Sequence, residues 1–440
     1  MPPPLILVRS EDSRLPLRLQ PSAPGTLEAS GLPMELVTQL VLKTLFFSGE
    51  LSGTDLSKRL GVVFGVIEPS IEFLKSQRQI ELLGTAIASG ASYRYRITTD
   101  GRSIAMLFLQ QNEYVGTLPV PLSQYRDYMH AVRTSTLDGV TPVEVRAACE
   151  HLVLSETVLE EIGSAVNAQH SMFIYGPPGN GKTEIARTIR QLLGGDVAIP
   201  HAIEVEGNII RIYDPVNHEA RPAAAGDEGL AHDMAMDRRW VTCRRPMVLV
   251  GGELTMESLD LTYDRRLGYY RAPVQLVANA GLLIIDDFGR QHCAPRDLLN
   301  RWMVPLENNV DNLTLQSGQK FEIPFLAFVA FATNIRPSEL VDEAFLRRVR
   351  YKVFAENPST EQFARIFELW CKRRDVPYER RFVDHLLNGY LGQIALRACH
   401  ARDLINQALS LGAYRGLPRE LTTDLLDAAC GAYFVEDRGL

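Results

Sequence analysis

Ser171–Thr183 reads SMFIYGPPGNGKT, and Gly176–Thr183 within it fits G-x-x-x-x-G-K-[ST] in full. The flanks supply the context this pattern needs. MFIY predicts a buried strand. TEIARTIRQLLGG predicts a helix with Ile185, Ala186, Ile189, Leu192 and Leu193 on one side and a stop at Gly194-Gly195. Glycines at such a turn let successive backbone N–H groups curl around phosphate oxygens, and the helix N-terminus adds its positive end. The candidate nucleotide-binding residues are therefore Gly176, Pro177, Pro178, Gly179, Asn180, Gly181, Lys182, Thr183 and Glu184. Lys182 is expected on the β/γ-phosphates of ATP and the Thr183 hydroxyl on Mg2+.

Downstream, Leu282–Arg290 reads LLIIDDFGR, an apolar strand running into two acids. Asp286 is the candidate magnesium ligand beside Thr183, and Asp287 the candidate base that orients an attacking water. The strand LAFVAFATN ends in Asn334, a polar residue placed to position that water. DEAFLRRVRYKV offers Arg347 and Arg348 on a helix leading into a further strand, and LRACHARDLINQALSLGA offers Arg402 at a helix start. An arginine beside a phosphate stabilises transition-state charge. From residue 171 onward strands alternate with helices, which predicts an α/β fold with a parallel sheet, and the tail reads as all-helical.

The bulk numbers exclude several classes. The chain has 440 residues, 46% hydrophobic and 22% charged, so two or three globular domains are expected. No apolar run approaches the ~18 residues of a membrane span, and MPPPLILVRS lacks the basic start of a secretory signal, so a cytoplasmic protein is expected. The six cysteines form no C-x-x-C pair and the nine histidines show no ligand spacing, which argues against a zinc site or a disulfide framework. With 46 basic and 53 acidic residues the net charge is −7, a poor balance for a general nucleic-acid binder.

Ahead of the phosphate loop, residues 1–33 carry seven prolines and read as a disordered arm. Residues 34–112 predict helix, helix, helix, hairpin, helix. MELVTQLVLKTLFFSGE places Leu36, Val37, Leu40, Val41 and Leu45 on one face, and a third helix starts near Pro69. QIELLG and YRYRITT alternate as hairpin strands around a small-residue loop. This order resembles a winged helix-turn-helix domain. Residues 31–113 balance eight basic residues against eight acids, and Glu68 and Glu72 stand beside Lys75 on the candidate recognition helix. That balance favours protein docking over DNA contact, with Arg94 and Arg96 in the wing as the counter-argument. Residues 113–140 read as a linker, 141–356 as the ATPase core and 357–440 as a helical lid.

The order of phosphate loop, acidic strand, Asn334, paired arginines and a helical tail carrying Arg402 resembles the AAA+ ATPase family over about residues 140–434. The resemblance implies a ring, of six subunits in most relatives. Arg348 looks like the finger that reaches a neighbour's nucleotide, with Arg347 the alternative, Asn334 like sensor 1 and Arg402 like sensor 2. GGELTMESLDLTYDRRLGYYRAPVQLVANAGLLIIDDFGR is similar to the matching segment of MoxR-type ATPases, magnesium-chelatase motor subunits and bacterial enhancer-binding activators. By that likeness the loop Thr255–Tyr270 would touch a protein client through Arg265, Arg266, Tyr269 and Tyr270, and Arg290 matches the MoxR-type arginine.

Two departures stand out: the second acid is Asp287 rather than Glu, and the N-terminal domain is not the usual MoxR layout. Asp is one methylene shorter, which withdraws the carboxylate by roughly 1.5 Å. An uncompensated displacement near 1 Å costs about 10²-fold in rate. Slow but real hydrolysis by a ring that remodels a protein assembly is the expectation. A DNA-directed regulator or loader and a nucleotide-gated module without turnover are the alternatives.

Overall fold

The computed structural model describes residues 5–8, 18–83, 90–135, 139–222 and 236–434. The rest of the proline-rich start and the small-residue loop of the predicted hairpin lie outside them.

The chain begins with β1 (Leu5–Val8) antiparallel to β2 (Arg18–Pro21), then a short α1 (Leu27–Ser30) capped by the Thr26 hydroxyl. The expectation of a disordered arm over 1–33 fails for residues 18–33, because distant partners satisfy their polar groups. The Gln20 amide and the Thr242 hydroxyl exchange hydrogen bonds at 3.0 and 3.2 Å, and Asp237 N donates to Pro21 O at 3.0 Å.

Next come α2 (Met34–Ser48), β3 (Glu50–Ser52), α3 (Gly53–Leu60), α4 (Phe64–Ser76), β4 (Ile80–Leu83), β5 (Arg94–Ile97) and α5 (Thr99–Gln111). The strands form one antiparallel sheet, ordered β3-β5-β4. Leu36, Val37, Leu40, Val41 and Leu45 bury their α2 face against Leu56, Ile67, Ile71 and Leu74. Helix α4 starts at Phe64 and carries Pro69 inside it, not at its first turn. The proline forgoes the bond to the Gly65 carbonyl. Burial of Val66, Ile67, Ile71 and Leu74 keeps the helix continuous through that gap.

Residues 113–140, read as a linker, contain β6 (Val120–Pro121) and the 14-residue α6 (Leu122–Ser135). Tyr125, Tyr128, Met129 and Val132 recur at helical spacing and are buried, so the stretch is a core helix. The prolines Pro119 and Pro121 hid it by suggesting a turn. Then follow α7 (Pro142–Ala148), α8 (Glu156–Asn167), β7 (Met172–Tyr175) and α9 (Lys182–Leu193). An inserted block supplies β8 (Asp196–Pro200), β9 (Ala202–Val205), β10 (Asn208–Arg211) and β11 (Trp240–Arg244).

After β12 (Met247–Val250) come the hairpin β13 (Thr262–Asp264) and β14 (Tyr269–Arg271), α10 (Val274–Val277) and β15 (Leu282–Ile285). The chain continues through α11 (Pro295–Asn308), the hairpin β16 (Val310–Thr314) and β17 (Lys320–Pro324), and β18 (Phe328–Thr333). The short α12 (Pro337–Leu340) and α13 (Glu343–Leu346) lead to β19 (Tyr351–Phe354). The tail is helical: α14 (Thr360–Arg374), α15 (Arg380–Asn388), α16 (Ala398–Tyr414) and α17 (Thr423–Tyr433), with its own core around Phe363, Phe367, Leu404 and Leu426.

The central sheet is wholly parallel, ordered β12-β15-β18-β7-β19, as the α/β reading predicts. Its strands LLII and FVAFAT are buried at every position, which helices on both faces require. A second sheet, β13-β14-β10-β9-β6, draws strands from three distant stretches. Its Ala202, Ile209 and Tyr269 share the hydrophobic cluster of α2–α5, so the N-terminal unit and the insertion pack as one body.

This packing corrects the predicted client loop. Tyr269 is buried, its ring edge-on to Tyr114 at 5.7 Å, and Tyr270 is buried with its hydroxyl accepting from Gln316 N at 2.9 Å. Glu113 N donates to Leu267 O at 2.7 Å, and a Cβ on Gly268 would collide with the Gln111 carbonyl. Of the four named contacts, Arg265 and Arg266 remain exposed. Among the described residues no helix is long and apolar enough to cross a membrane.

A buried ion pair ties these parts together. Arg239 and Asp237 side chains are 1% and 2% exposed and meet at 2.8 Å. Arg239 also donates to Gln124 Oε1 at 3.0 Å and to the carbonyls of Ser30 and Pro119 at 3.4 Å. Arg239→Ala strands the Asp237 carboxylate, so we expect a loss of about 3–5 kcal/mol in urea unfolding. Adding Asp237→Ala should recover part of it. A single-variant loss below ~1 kcal/mol would mean the pair is dispensable.

Candidate functional site

The strand order brings three chain turns to one edge. In register Ile285 pairs with Phe331 and Thr333 with Tyr175, so Asp286, Asn334 and Gly176 each begin just past the carboxyl ends of neighbouring strands. Parallel sheets place ligands in this position, outside the carboxyl ends. The Thr183 hydroxyl donates to Asp286 Oδ2 at 2.9 Å, and Asn334 Nδ2 donates to Asp287 Oδ1 at 2.9 Å.

Lys182 is only 8% exposed, and its ammonium donates to the carbonyls of Gly176 (3.0 Å) and Pro177 (2.8 Å). Burial lowers its pKa, and the charges of Asp287 and Asp286 draw it back up. The phosphate loop has no room for side chains where it touches its neighbours. A Cβ on Gly176 would meet the Ala355 carbonyl, and one on Gly179 would meet Cys399 Sγ. Gly181, at φ +75°, opens α9.

Asp287 adopts φ +47°, the left-handed region. Asp and Asn enter it more readily than other non-glycine residues. The turn is held from several sides. Gln291 Nε2 donates to the carbonyls of Asp286 (2.9 Å) and Asp287 (3.2 Å), while its Oε1 accepts from Gly289 N at 2.8 Å. Asp287 N donates to Asp286 Oδ1 at 3.0 Å, and the Thr333 hydroxyl donates to Phe288 O at 2.7 Å. Sequence reasoning missed Gln291. The only signal was an amide side chain placed just beyond a glycine turn.

The Asn180 side chain ties the loop to its neighbours. Its Nδ2 donates to Ala355 O (3.3 Å), Glu356 O (3.0 Å) and Asn357 Oδ1 (2.9 Å), and its Oδ1 accepts from Ala398 N (3.2 Å). Cys399 N adds a bond to Gly179 O at 2.9 Å. The loop is thus joined to the end of β19 and to the first turn of α16. Arg402 lies one turn beyond Ala398 on the same helical face and pairs with Asp403 at 2.7 Å. Arg347 pairs with Glu343 at 2.9 Å and Arg348 with Glu307 at 3.1 Å. The Glu184 side chain faces outward and takes Arg187 at 3.0 Å, and Pro178 is exposed.

Thr183 Oγ1 and Asp286 Oδ2 are the two oxygens suited to a divalent ion. Among the described residues no cluster of three His, Cys, Asp or Glu is gathered. Magnesium fits this sparse set, because it keeps most of its shell as water and phosphate oxygen.

A family model described as Domain of unknown function (DUF8689) matches residues 359–432. Comparison with curated proteins gives no match. Among solved structures, the fold is similar to NtrX from Brucella abortus in complex with ATP, at 14% identity, over 64% of this chain and 54% of that one, with a TM-score of 0.40. It is also similar to the RuvB Holliday junction branch migration motor of Thermotoga maritima, at 14% identity, over 65% and 72% of the two chains, with a TM-score of 0.37. The chain spans about half the length of the NtrX chain it matches.

Asn180→Ala removes every side-chain bond between the loop, β19 and α16 while leaving Lys182, Thr183 and the acids in place. We expect a loss of about 1–3 kcal/mol in stability. Backbone hydrogen exchange should also quicken at Ala398 and Cys399. Unchanged protection there would show that the helical tail is held without Asn180.

Proposed function

We propose that the protein binds ATP with Mg2+ and hydrolyses it slowly, as an AAA+-type ATPase acting in an oligomeric ring, a hexamer by the family resemblance. The observation that carries this reading is the meeting of Lys182, the Thr183–Asp286 pair and the Asp287–Asn334 pair at one sheet edge. On binding, the Lys182 ammonium exchanges the Gly176 and Pro177 carbonyls for phosphate oxygens, and the loop's N–H groups take the rest. Thr183 and Asp286 would hold the ion, which would supply charge neutralisation at the phosphates. Asp287, oriented by Asn334, takes the proton of the attacking water as the new O–P bond forms and ADP leaves. Arg348, or Arg347, reaches a neighbouring subunit's phosphate, and Arg402 follows the nucleotide from the helical tail.

We read the client as a protein assembly rather than DNA, as in MoxR-type relatives, with Arg265 and Arg266 as the loop's remaining candidate contacts. The wing supports this. Arg94 pairs with Glu50 at 2.6 Å, and Arg96 with Glu50 at 3.0 Å and Glu81 at 3.5 Å, so both arginines are occupied by acids of their own sheet. The unit of residues 34–112, which we take as a winged-helix domain, then docks protein.

Steady-state ATP hydrolysis is the test. Turnover should need Mg2+, stop with chelator, and fall by about 10²-fold or more in Lys182→Ala and Asp287→Asn. Asp287→Glu gains reach but meets a backbone that resists Glu, so we expect its rate within about tenfold of wild type. Absence of turnover in wild type, with gain in Asp287→Glu, would instead describe a module that holds ATP unhydrolysed.

A further inference from the structure

A cavity of about 300 Å3 lies under the amino edge of the parallel sheet, at the far end of the strands from the phosphate loop. Its floor is where β7, β15 and β18 begin, at Ser171, Gly281 and Phe328, and the last turns of α6, α8, α9 and α11 wall it. The volume falls at the lower end of the range of small-molecule sites.

The lining combines two chemistries. Val132, Val166, Leu192, Leu306, Phe325 and Phe328 make apolar walls. Set into them is Arg245, with no aspartate or glutamate among the described lining residues. Arg245 is 9% exposed and is fixed by two bonds, Nε to Gly194 O at 2.6 Å and Nη1 to Ala280 O at 2.7 Å. Its Nη2 has no hydrogen-bond partner among the described residues. Asp196, an acid whose charge acts on Arg245, takes Arg221 at 3.0 Å instead. The Ser171 hydroxyl, on a residue 8% exposed, also lacks a partner among the described residues. Helix carboxyl ends face the same space and disfavour an anion. Each carries about half a charge that fades within a turn, and Arg245 presents a full charge held in a fixed position.

We propose that this cavity binds a small organic acid with an apolar body. The carboxylate lies on Arg245 Nη2, and the hydrocarbon lies against Val166, Leu192 and Phe328. The site stands apart from the nucleotide reading, and the test uses no nucleotide.

Octanoate, octanol and octylamine are titrated into the full chain by calorimetry, with thermal unfolding in parallel. Octanoate should bind and raise Tm, with the alcohol and the amine at least tenfold weaker. Arg245→Gln should weaken octanoate by about tenfold or more. Leu193→Trp, which fills the cavity from the end of α9 and leaves both Arg245 bonds intact, should abolish binding, and it decides the matter should Arg245→Gln not fold. The proposal is overturned by no octanoate binding in wild type, by octanol binding as tightly, or by octanoate binding unchanged in Leu193→Trp.

Discussion

The side-chain amide of Asn180 is the constraint on which the candidate site depends. One residue of the phosphate loop hydrogen-bonds to the loop after β19 and to the opening turn of α16, some 175 and 218 residues away. A flexible glycine-rich turn would otherwise hold no fixed direction relative to the helical tail. With the amide in place, Gly179 lies so close to Cys399 that no side chain fits between them. The loop and the tail therefore share one position. On the function proposed above, a change in the loop on taking up phosphate would reach the start of α16, where Arg402 sits a turn away. Coupling of this kind needs a physical connection with defined partners, and here the partners are four hydrogen bonds.

The pair of acids that ends β15 is explained by its backbone. A left-handed residue with a side chain costs about 1–2 kcal/mol, and Asp recovers part of that through local hydrogen bonds. Asp287 occupies φ +47°, with Gln291 and Phe288 stitched to the strand behind it. At this position the short acid suits the turn, and Asn334 still meets its carboxylate at 2.9 Å.

Much of this was legible in the chain. The phosphate loop, Asp286, Asp287 and Asn334 could be placed because each follows a run of buried apolar residues, and such runs mark strands whatever their neighbours do. The α2 face was legible for the same reason, since a 3.6-residue period is local. What could not be read was set by contacts distant in sequence. Residues 18–33 and α6 look proline-rich and unstructured until Gln20, Ser30 and Gln124 find Thr242 and Arg239. Tyr269 and Tyr270 read as exposed loop aromatics because the clusters that bury them reach back to residues 32–118 for Tyr269 and draw on 120–132 and 197–323 for Tyr270. Asn180 matched a motif, and the motif said nothing of where its amide would point.

The bonds between Gln20 and Thr242 join residues 222 apart, and Arg239 reaches back to Ser30 across 209. A ribosome adding ~5–20 residues per second takes roughly 10–45 s to make that interval. For that time Gln20 and the edge of β2 emerge without their protein partners, while the Ser30 carbonyl already has Gln124 and α2–α5 can bury their own leucines. Folding of this protein is then ordered in time. The N-terminal helices can form a core first, with Leu27 and Leu32 joining it, and β2 is among the last pieces to be fastened.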